Sequence, residues 1–167
     1  MANGSGSSIN VVEKFQALSM GEKIILIAGP VLFIISFLPW YHASFGSVEV
    51  AGQTFSSGGS ISRSGWQSPG AIWSIFAMLI GLAMSGVIIV KSLAKEGTLP
   101  DNISGISWPK IMLGAAGVAA LFIVIKLISE SSHLGFGFFL GIIAVGALVA
   151  GAALMYRDEM SGSSPQG

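Results

Sequence analysis

Three residues near the end of the third apolar stretch could carry an ion or a proton. Lys126, Glu130 and His133 fall at positions i, i+4 and i+7, so they share one face if a helix continues through the following turn. An ionisable side chain inside an apolar run is costly and commonly marks an ion or proton path. His42, at the end of the first stretch, could converge with Glu130 and His133. The pattern predicts a candidate ion or proton site.

A plainer interpretation of Lys126 is also open. The residue lies about two helical turns from the end of its stretch, so its aliphatic stem can carry the ammonium to the outer headgroups, with Glu130 as a loose ion-pair partner. A metal site has less support, because the sequence has no close-spaced His/Glu ligand motif and no cysteine. We expect no cofactor and no metal.

Catalysis is not indicated by the sequence. It contains no Ser/His/Asp arrangement with a supporting motif, no phosphate-binding glycine loop before a helix and no paired intramembrane carboxylates. We therefore expect that the protein is not an enzyme.

Four apolar stretches must position these residues, at 24–41, 70–90, 109–128 and 135–156. About 20 apolar residues match the roughly 30 Å hydrocarbon core of a bilayer, so each stretch is predicted to be a transmembrane helix. Charged residues make up only 10% of the chain, whereas soluble domains carry roughly 25%. The predicted fold class is an all-α integral membrane protein, an antiparallel four-helix transmembrane bundle.

The predicted organisation has three parts. Residues 1–21 form a cytoplasmic arm with a short amphipathic helix over 9–18, which rests on the headgroups, extends the first span's helix or packs on the bundle. Residues 22–157 form the four-span membrane domain, and residues 158–167 form a Ser/Gly-rich tail that we expect to be disordered.

The first span carries two local signals. Ser19-Met20-Gly21-Glu22 is a capping-box pattern, in which Ser19 and Glu22 each accept a hydrogen bond from the other's backbone N–H. Pro30, inside the span, leaves the carbonyl of Leu26 without its backbone donor, so we expect a kink and a local or neighbouring-helix partner.

The connection over residues 42–68 is too long for a tight turn and is a candidate functional loop. Alternation over 47–50, a turn at Ala51-Gly52 and a return over 53–55 predict a small β-hairpin. The second half of the loop, residues 56–65, is Gly/Ser-rich, and we expect it to be flexible.

Small residues recur at four-residue spacing in three of the predicted helices. Such faces let helix backbones approach closely in lipid, either within one chain or between chains. The predicted helix-packing residues are Ala77, Gly81 and Ser85; Ala116 and Ala120, with Gly114 and Gly117 beside them; and Gly137, Gly141, Ala147 and Gly151.

Charge and aromatic residues predict an orientation. If the N-terminus is cytoplasmic, six Lys/Arg flank the spans inside and two lie outside, in agreement with the positive-inside rule. Both termini are then cytoplasmic, in the plasma (inner) membrane, and the 42–68 loop faces outward. Tryptophan and tyrosine favour the membrane interface, and the predicted interface anchors are Trp40, Tyr41, Trp66, Trp73 and Trp108.

This layout of four spans, both ends inside and a large first outer loop with a hairpin resembles the claudin-like tetraspan plan. The claudin loop carries tryptophans and two cysteines; this loop has Trp66 and no cysteine, so the resemblance covers the layout alone. Leu38-Pro39-Trp40-Tyr41, at the end of the first span, is similar to a boundary tetrad in small uncharacterised bacterial four-span membrane proteins. These resemblances imply a topology and no activity.

Two functions follow as hypotheses. The first is an accessory, assembly or scaffold subunit of a membrane complex or homo-oligomer, whose partners are the lipid bilayer and other subunits or itself. The second is a small channel or transport component with a polar path near Lys126, Glu130 and His133. Nucleic acid is not an expected partner, because the eight Lys/Arg are balanced by eight Asp/Glu.

Overall fold

The computed structural model describes residues 6–46, 48–50, 53–55, 58–67, 70–93 and 99–162, with the side chains at 6–11, 45, 48–50, 54, 55 and 93 left undescribed. The chain is mostly helical. The helices are α1 (Gly6–Ala17), α2 (Met20–Ile35), α3 (Ala71–Leu93), α4 (Trp108–Ser129) and α5 (Phe136–Gly162). The strands are β1 (Pro39–Phe45), β2 (Val48–Val50), β3 (Gln53–Phe55), β4 (Gly59–Ser64), β5 (Asn102–Ile103) and β6 (Ile106–Ser107).

Helices α2 to α5 pack in a cycle, with α2 and α4 each lying against both α3 and α5. The C-terminal end of α2 meets the start of α5, where the Gly135 N–H donates to the Trp40 carbonyl at 2.8 Å. The start of α2 meets the end of α5, where a Cβ on Gly151 would lie 2.9 Å from the Gly21 carbonyl oxygen. Helices α2 and α5 are therefore antiparallel. We call the end of the bundle that carries β1 the sheet end.

Among the described residues, three helices are long and apolar enough to cross a membrane: Ala71–Ser92, Trp108–Ser129 and Phe136–Gly162. Their outward faces expose large apolar side chains such as Leu79, Leu121 and Ile143. Exposed apolar faces of this length are suited to lipid rather than water. The chain is thus a multi-pass membrane protein with three candidate spans in contact with the bilayer.

Helix α2 is shorter than the predicted span of 24–41. It begins at Met20 and ends at Ile35, and the N–H groups of Phe37 and Leu38 bind carbonyls only three residues back, at 3.2 and 3.0 Å. Pro39 then disfavours a helical conformation at Leu38, and β1 begins. The last part of the apolar stretch is therefore a tight turn and a strand.

One of the two local signals in α2 is confirmed. The capping box is confirmed, because the Glu22 N–H donates to Ser19 Oγ at 3.2 Å and the Ser19 N–H donates to Glu22 Oε2 at 2.9 Å. The helix continues through Pro30. In the preceding turn Ser85 Oγ of α3 donates to the carbonyl of Ile25 at 2.8 Å, one residue before the predicted acceptor, Leu26. This bond joins α3 to α2 but does not reach the Leu26 carbonyl, so the replacement partner of that carbonyl and the kink both stay predictions.

The described residues of the 42–68 connection form two strand pairs. The predicted hairpin is confirmed as β2 paired with β3, from Val48↔Phe55 to Val50↔Gln53. The expectation of flexibility over residues 56–65 is wrong for 59–64, which form β4 and pair antiparallel with β1. This pairing joins distant parts of the chain, so local Gly/Ser content did not reveal it.

Two further elements lie at the other end of the bundle, and the second differs from expectation. Strands β5 and β6 form a hairpin whose turn residues Ser104 and Gly105 have φ of 53° and 81°, as a two-residue type I′ turn requires. Helix α5 runs to Gly162, so residues 158–162 are helical rather than disordered; residues 163–167 lie outside the described chain.

Candidate functional site

Lys126 and Glu130 are brought together inside the bundle. Lys126 lies on the buried face of α4 with Ala119 and Ile123, and its side chain is 1% exposed. Its Nζ lies 3.3 Å from Glu130 Oε2, and the Glu130 side chain is 14% exposed. The interpretation in which the Lys126 stem extends to the outer headgroups is therefore wrong, because the ammonium points into the protein and is paired there.

Glu130 also joins α4 to the start of α3. It is the C-cap of α4, and its backbone N–H donates to the Lys126 carbonyl at 3.0 Å. Its other oxygen, Oε1, lies against Gly70, where φ is +62° and an added Cβ would be 2.5 Å from that oxygen. Since Gly70 directly precedes α3, the carboxylate lies beside a helix N-terminus, where negative charge is favoured. The Glu130 carboxylate thus lies between the end of α4 and the start of α3.

The structure does not place His133 on the face that carries Lys126 and Glu130. Helix α4 ends at Ser129, and His133 adopts a left-handed backbone with φ of 67°. Its exposed ring lies 5.8 Å from the ring of Tyr41. The condition for a shared i, i+4, i+7 face is therefore not met.

The two histidines meet only through their backbones. The His42 N–H donates to the His133 carbonyl at 2.8 Å, while His42 Nδ1 lies 3.1 Å from Ser62 Oγ. In the part of the chain that the structure describes, no group of three His, Cys, Asp or Glu side chains is arranged to hold a metal ion.

Trp40 and Trp108 lie in the core of the protein, and their position relative to the membrane interface stays a prediction. Trp40 is fully buried and donates from Nε1 to the Ile35 carbonyl at 2.9 Å. Trp108 is 8% exposed and donates to the Pro100 carbonyl at 2.8 Å. Each indole N–H therefore has a backbone carbonyl partner inside the protein.

The other predicted anchors are partly exposed. Trp66 donates from Nε1 to Ser36 Oγ at 2.8 Å and stacks on Phe37, with ring centroids 6.0 Å apart. Trp73 lies 5.7 Å from Phe122 of α4. Tyr41 contacts His133, as described above. The depth of these rings in a membrane stays a prediction.

The small-residue face of α3 packs within the chain. Ala77, Gly81 and Ser85 are buried. A Cβ at Gly81 would lie 3.3 Å from Leu32 Cδ2, and one at Gly29 of α2 would overlap Ser85 Oγ and the Gly81 carbonyl. The backbones of α2 and α3 therefore cross closely at these glycines.

The α5 face packs on α2 and on Trp40. Added Cβ atoms at Gly137 and Gly141 would both lie 2.8 Å from the Trp40 ring, whereas Gly151 contacts the start of α2. Ala147 is partly buried on the same side of α5.

The α4 set divides into two. Ala116 is buried and Ala120 is partly buried, but a Cβ added at Gly114 or Gly117 would meet no described heavy atom within 4 Å. Gly114 and Gly117 therefore face outward, and of these four small residues only Ala116 and Ala120 contribute to packing within the chain.

One feature that the sequence reasoning missed is an open groove between α2 and α5, which we call the α2/α5 groove. Its volume is about 420 Å³. A smaller groove of about 220 Å³ lies between α4 and α5. The α2/α5 groove is lined by Ile24, Ile27, Ala28, Val31, Ile35, Leu140, Ile143, Ala144 and Ala147. The sequence pattern that indicates this groove is the helical spacing of small residues on α5. A row of small side chains leaves a depression on a helix surface where no side chain of a neighbouring helix fills the space.

Comparison with models of known protein families, with curated proteins and with solved structures finds no match to this chain. Function is therefore inferred from the contacts, burial and charge of the residues themselves.

Proposed function

We propose that the protein is a four-span scaffold or assembly subunit of a plasma membrane complex or homo-oligomer, without catalysis of its own, and that its outer layer is the partner surface. The observation that carries this proposal is the attachment of β1 along both edges. One edge pairs with β4, and on the other Tyr41 bridges Leu134 and His42 binds His133. With Trp40 buried beneath it, the layer is held in a fixed orientation on the bundle.

The fourth span in this proposal is α2. At its start, Gly21 of α2 lies against Gly151 of α5, and just beyond its end, Pro39 lies against Gly137. The α5 segment between those two glycines is about 21 Å long at 1.5 Å per residue, so α2 covers most of the hydrocarbon thickness. Its outward residues Ile27, Val31 and Ile34 are exposed and apolar. These features support a membrane environment along its length.

A labelling experiment tests that topology. Single cysteines replacing Gln16, before α2, and Ser60, after it, are treated with a membrane-impermeant maleimide in intact cells. We expect Ser60→Cys to react from outside and Gln16→Cys to react only after permeabilisation. Equal reactivity of both would mean that α2 does not cross the membrane and would overturn the four-span proposal.

The proposed partner surface is the free side of β4. Among the described residues, β4 pairs with β1 alone, and Ile61 is 44% exposed. An edge strand presents backbone N–H and C=O groups that can accept a further strand. We infer that a partner subunit or a second copy docks along this edge.

Photo-crosslinking in native membranes tests this surface. A benzoylphenylalanine residue is placed at Ile61 and, as a matched control, at Val118, which is 44% exposed on α4. We expect a discrete protein adduct from Ile61 and none from Val118. Adducts from both positions, or from neither, would contradict a specific role for the β4 edge.

The buried Lys126–Glu130 pair is the observation that favours the transport alternative, because intramembrane ionisable pairs line many ion paths. Proteoliposomes loaded with a pH-sensitive or cation-sensitive dye separate the two functions. The scaffold proposal predicts no flux above that of empty vesicles. Flux that is abolished by Lys126→Leu would replace the scaffold proposal with transport.

A further inference from the structure

Helix α1 is an exposed helix that carries two exposed apolar side chains. Its described side chains, at residues 12–17, are all exposed, and among them Val12 and Phe15 are 57% and 42% exposed. These two residues are three positions apart, so they lie on one side of the helix, which we call the Val12/Phe15 side. Glu13 and Lys14 lie away from that side at about 100° per residue. The described part of α1 is therefore amphipathic.

The contacts of α1 within the described chain leave this apolar side open. The helix packs on α3, and Lys23 of α2 binds its last turn, where Nζ donates to the Gln16 carbonyl at 3.0 Å and lies 6.0 Å from the centroid of the Phe15 ring. Isolated helices shorter than about 12–15 residues are marginal in water, and α1 has 12 residues. An apolar surface against the Val12/Phe15 side would therefore stabilise a helix that is short and little buried.

The position of α1 relative to the candidate spans selects the bilayer as that surface. Ser85 of α3 donates to the carbonyl of Ile25 in α2, while Gly81 lies against Gly29, so α2 and α3 are antiparallel. The start of α2 is therefore level with the end of α3. That end is also the end of the candidate span Ala71–Ser92. The junction of α1 and α2 thus lies at a boundary of the hydrocarbon layer.

A two-residue link keeps α1 at this boundary. Leu18 and Ser19 join the two helices, and Ser19 is extended, with φ of −63° and ψ of 161°, so the chain changes direction there. Leu18 is partly buried and packs against the core. At the same end of the bundle α3 exposes Ile89 and Val90, which are 41% and 38% exposed. The apolar surface that faces lipid thus extends to the end of the bundle at which α1 lies.

We propose that α1 lies along the membrane surface, with Val12 and Phe15 against the acyl chains and Lys14 directed to the headgroups. Its partner is the bilayer around α3, α4 and α5, so the inference rests on those three candidate spans and not on the passage of α2. An interfacial amphipathic helix buries its apolar side about 5–10 Å into the boundary between headgroups and acyl chains. A lysine stem can lie along apolar surface while its ammonium stays in water. Helix α1 thus sets the depth of this end of the bundle in the membrane.

Fluorescence quenching by labelled lipids tests this position. The chain contains no cysteine, so a single NBD label can be attached at Val12→Cys or, as a matched control one residue along the helix, at Glu13→Cys. The full-length protein is placed in nanodiscs of phosphatidylcholine and phosphatidylglycerol, with one copy in each disc. We expect the Val12 label to emit at shorter wavelength and to be quenched more by a doxyl group near the headgroup than by one near the end of the acyl chain. The Glu13 label should be quenched by aqueous iodide instead.

The other outcomes contradict the proposal. Equal quenching by lipid at the two positions, or none at either, would mean that α1 has no defined side in the membrane. Shielding of the Val12 label from iodide without quenching by lipid would assign that side to protein contact. Stronger quenching by the deep doxyl group would place α1 inside the hydrocarbon as part of a span. Unchanged helical circular dichroism of each labelled variant is the folding control. None of these results bears on the four-span proposal, which depends on the two sides of the membrane at the ends of α2.

Discussion

Gly141 offers a direct test of the packing around Trp40. An added Cβ at Gly141 would lie 2.8 Å from Trp40 Cη2 and 2.9 Å from Cζ2, closer than carbon atoms normally approach. The indole cannot turn away easily, because it is fully buried, its Nε1 binds the Ile35 carbonyl and its ring packs edge-to-face on Phe138. Gly141→Ala should therefore destabilise the bundle through overpacking.

The expected magnitude combines two opposing effects. Overpacking in a filled interior costs about 1–3 kcal/mol, whereas replacing a mid-helix glycine by alanine gains about 0.5–1 kcal/mol. The net loss for Gly141→Ala should be about 0–2.5 kcal/mol in the free energy of unfolding. Gly146→Ala is the matched control on the same helix, since no described heavy atom lies within 4 Å of its added Cβ. That variant should be neutral or stabilising by up to about 1 kcal/mol.

Reversible unfolding in mixed micelles, followed by circular dichroism and tryptophan fluorescence, measures both free energies. Gly141→Ala should lower the free energy of unfolding, whereas Gly146→Ala should leave it unchanged or raise it. A second cycle adds Trp40→Phe, which removes the ring atoms that the new Cβ meets, so Gly141→Ala should cost less in that background. Equal effects of the two alanines, or additivity with Trp40→Phe, would refute the close contact.

Three other substitutions probe single contacts in the same unfolding assay. Ser85→Ala should lower the free energy of unfolding by about 0.5–1.5 kcal/mol, because it removes the hydrogen bond from α3 to α2. Ser92→Ala is the control and should cost much less, because its hydrogen bond is exposed and lies within α3. Equal costs would contradict a role for the α2 contact. Ser19→Ala should cost about 1 kcal/mol through loss of the capping box, and no change in helix content or stability would count against it. Lys126→Met should cost about 2–4 kcal/mol, because it leaves the largely buried Glu130 carboxylate without its ion-pair partner. The double variant with Glu130→Gln should cost less than the sum of the two single changes. Simple additivity would mean that the Lys126–Glu130 pair does not contribute to stability.

Local patterns predicted the parts of this fold that depend on neighbouring residues. The ends of α3 and α4 agree with the apolar stretches to within three residues, and the β2–β3 hairpin follows from its turn and alternation. In the candidate site, i, i+4 spacing brought Lys126 and Glu130 together because both lie in or directly beside one helix. His133 lies beyond the end of that helix and has a left-handed backbone. Its i+7 spacing from Lys126 therefore did not predict where its side chain points.

The remaining features depend on chain segments far apart in sequence. Burial of Trp40 requires the glycine face of α5, about a hundred residues later, and β4 is ordered by pairing with β1. The same apolar composition suits lipid contact and core packing, so the outward position of Gly114 and the inward position of Gly81 were equally compatible with the sequence.

The sequence by itself determined the solvent of this protein, because long apolar runs match a bilayer and charged residues are few. It also determined where α2 begins and which carboxylate pairs with Lys126, since those contacts close within one turn of helix. Only the tertiary structure decided which small residues face one another, where α2 gives way to β1, and that an open groove remains beside α5. All three features depend on which helices pack against each other. The sequence of one helix does not specify which surface of another helix will lie against it.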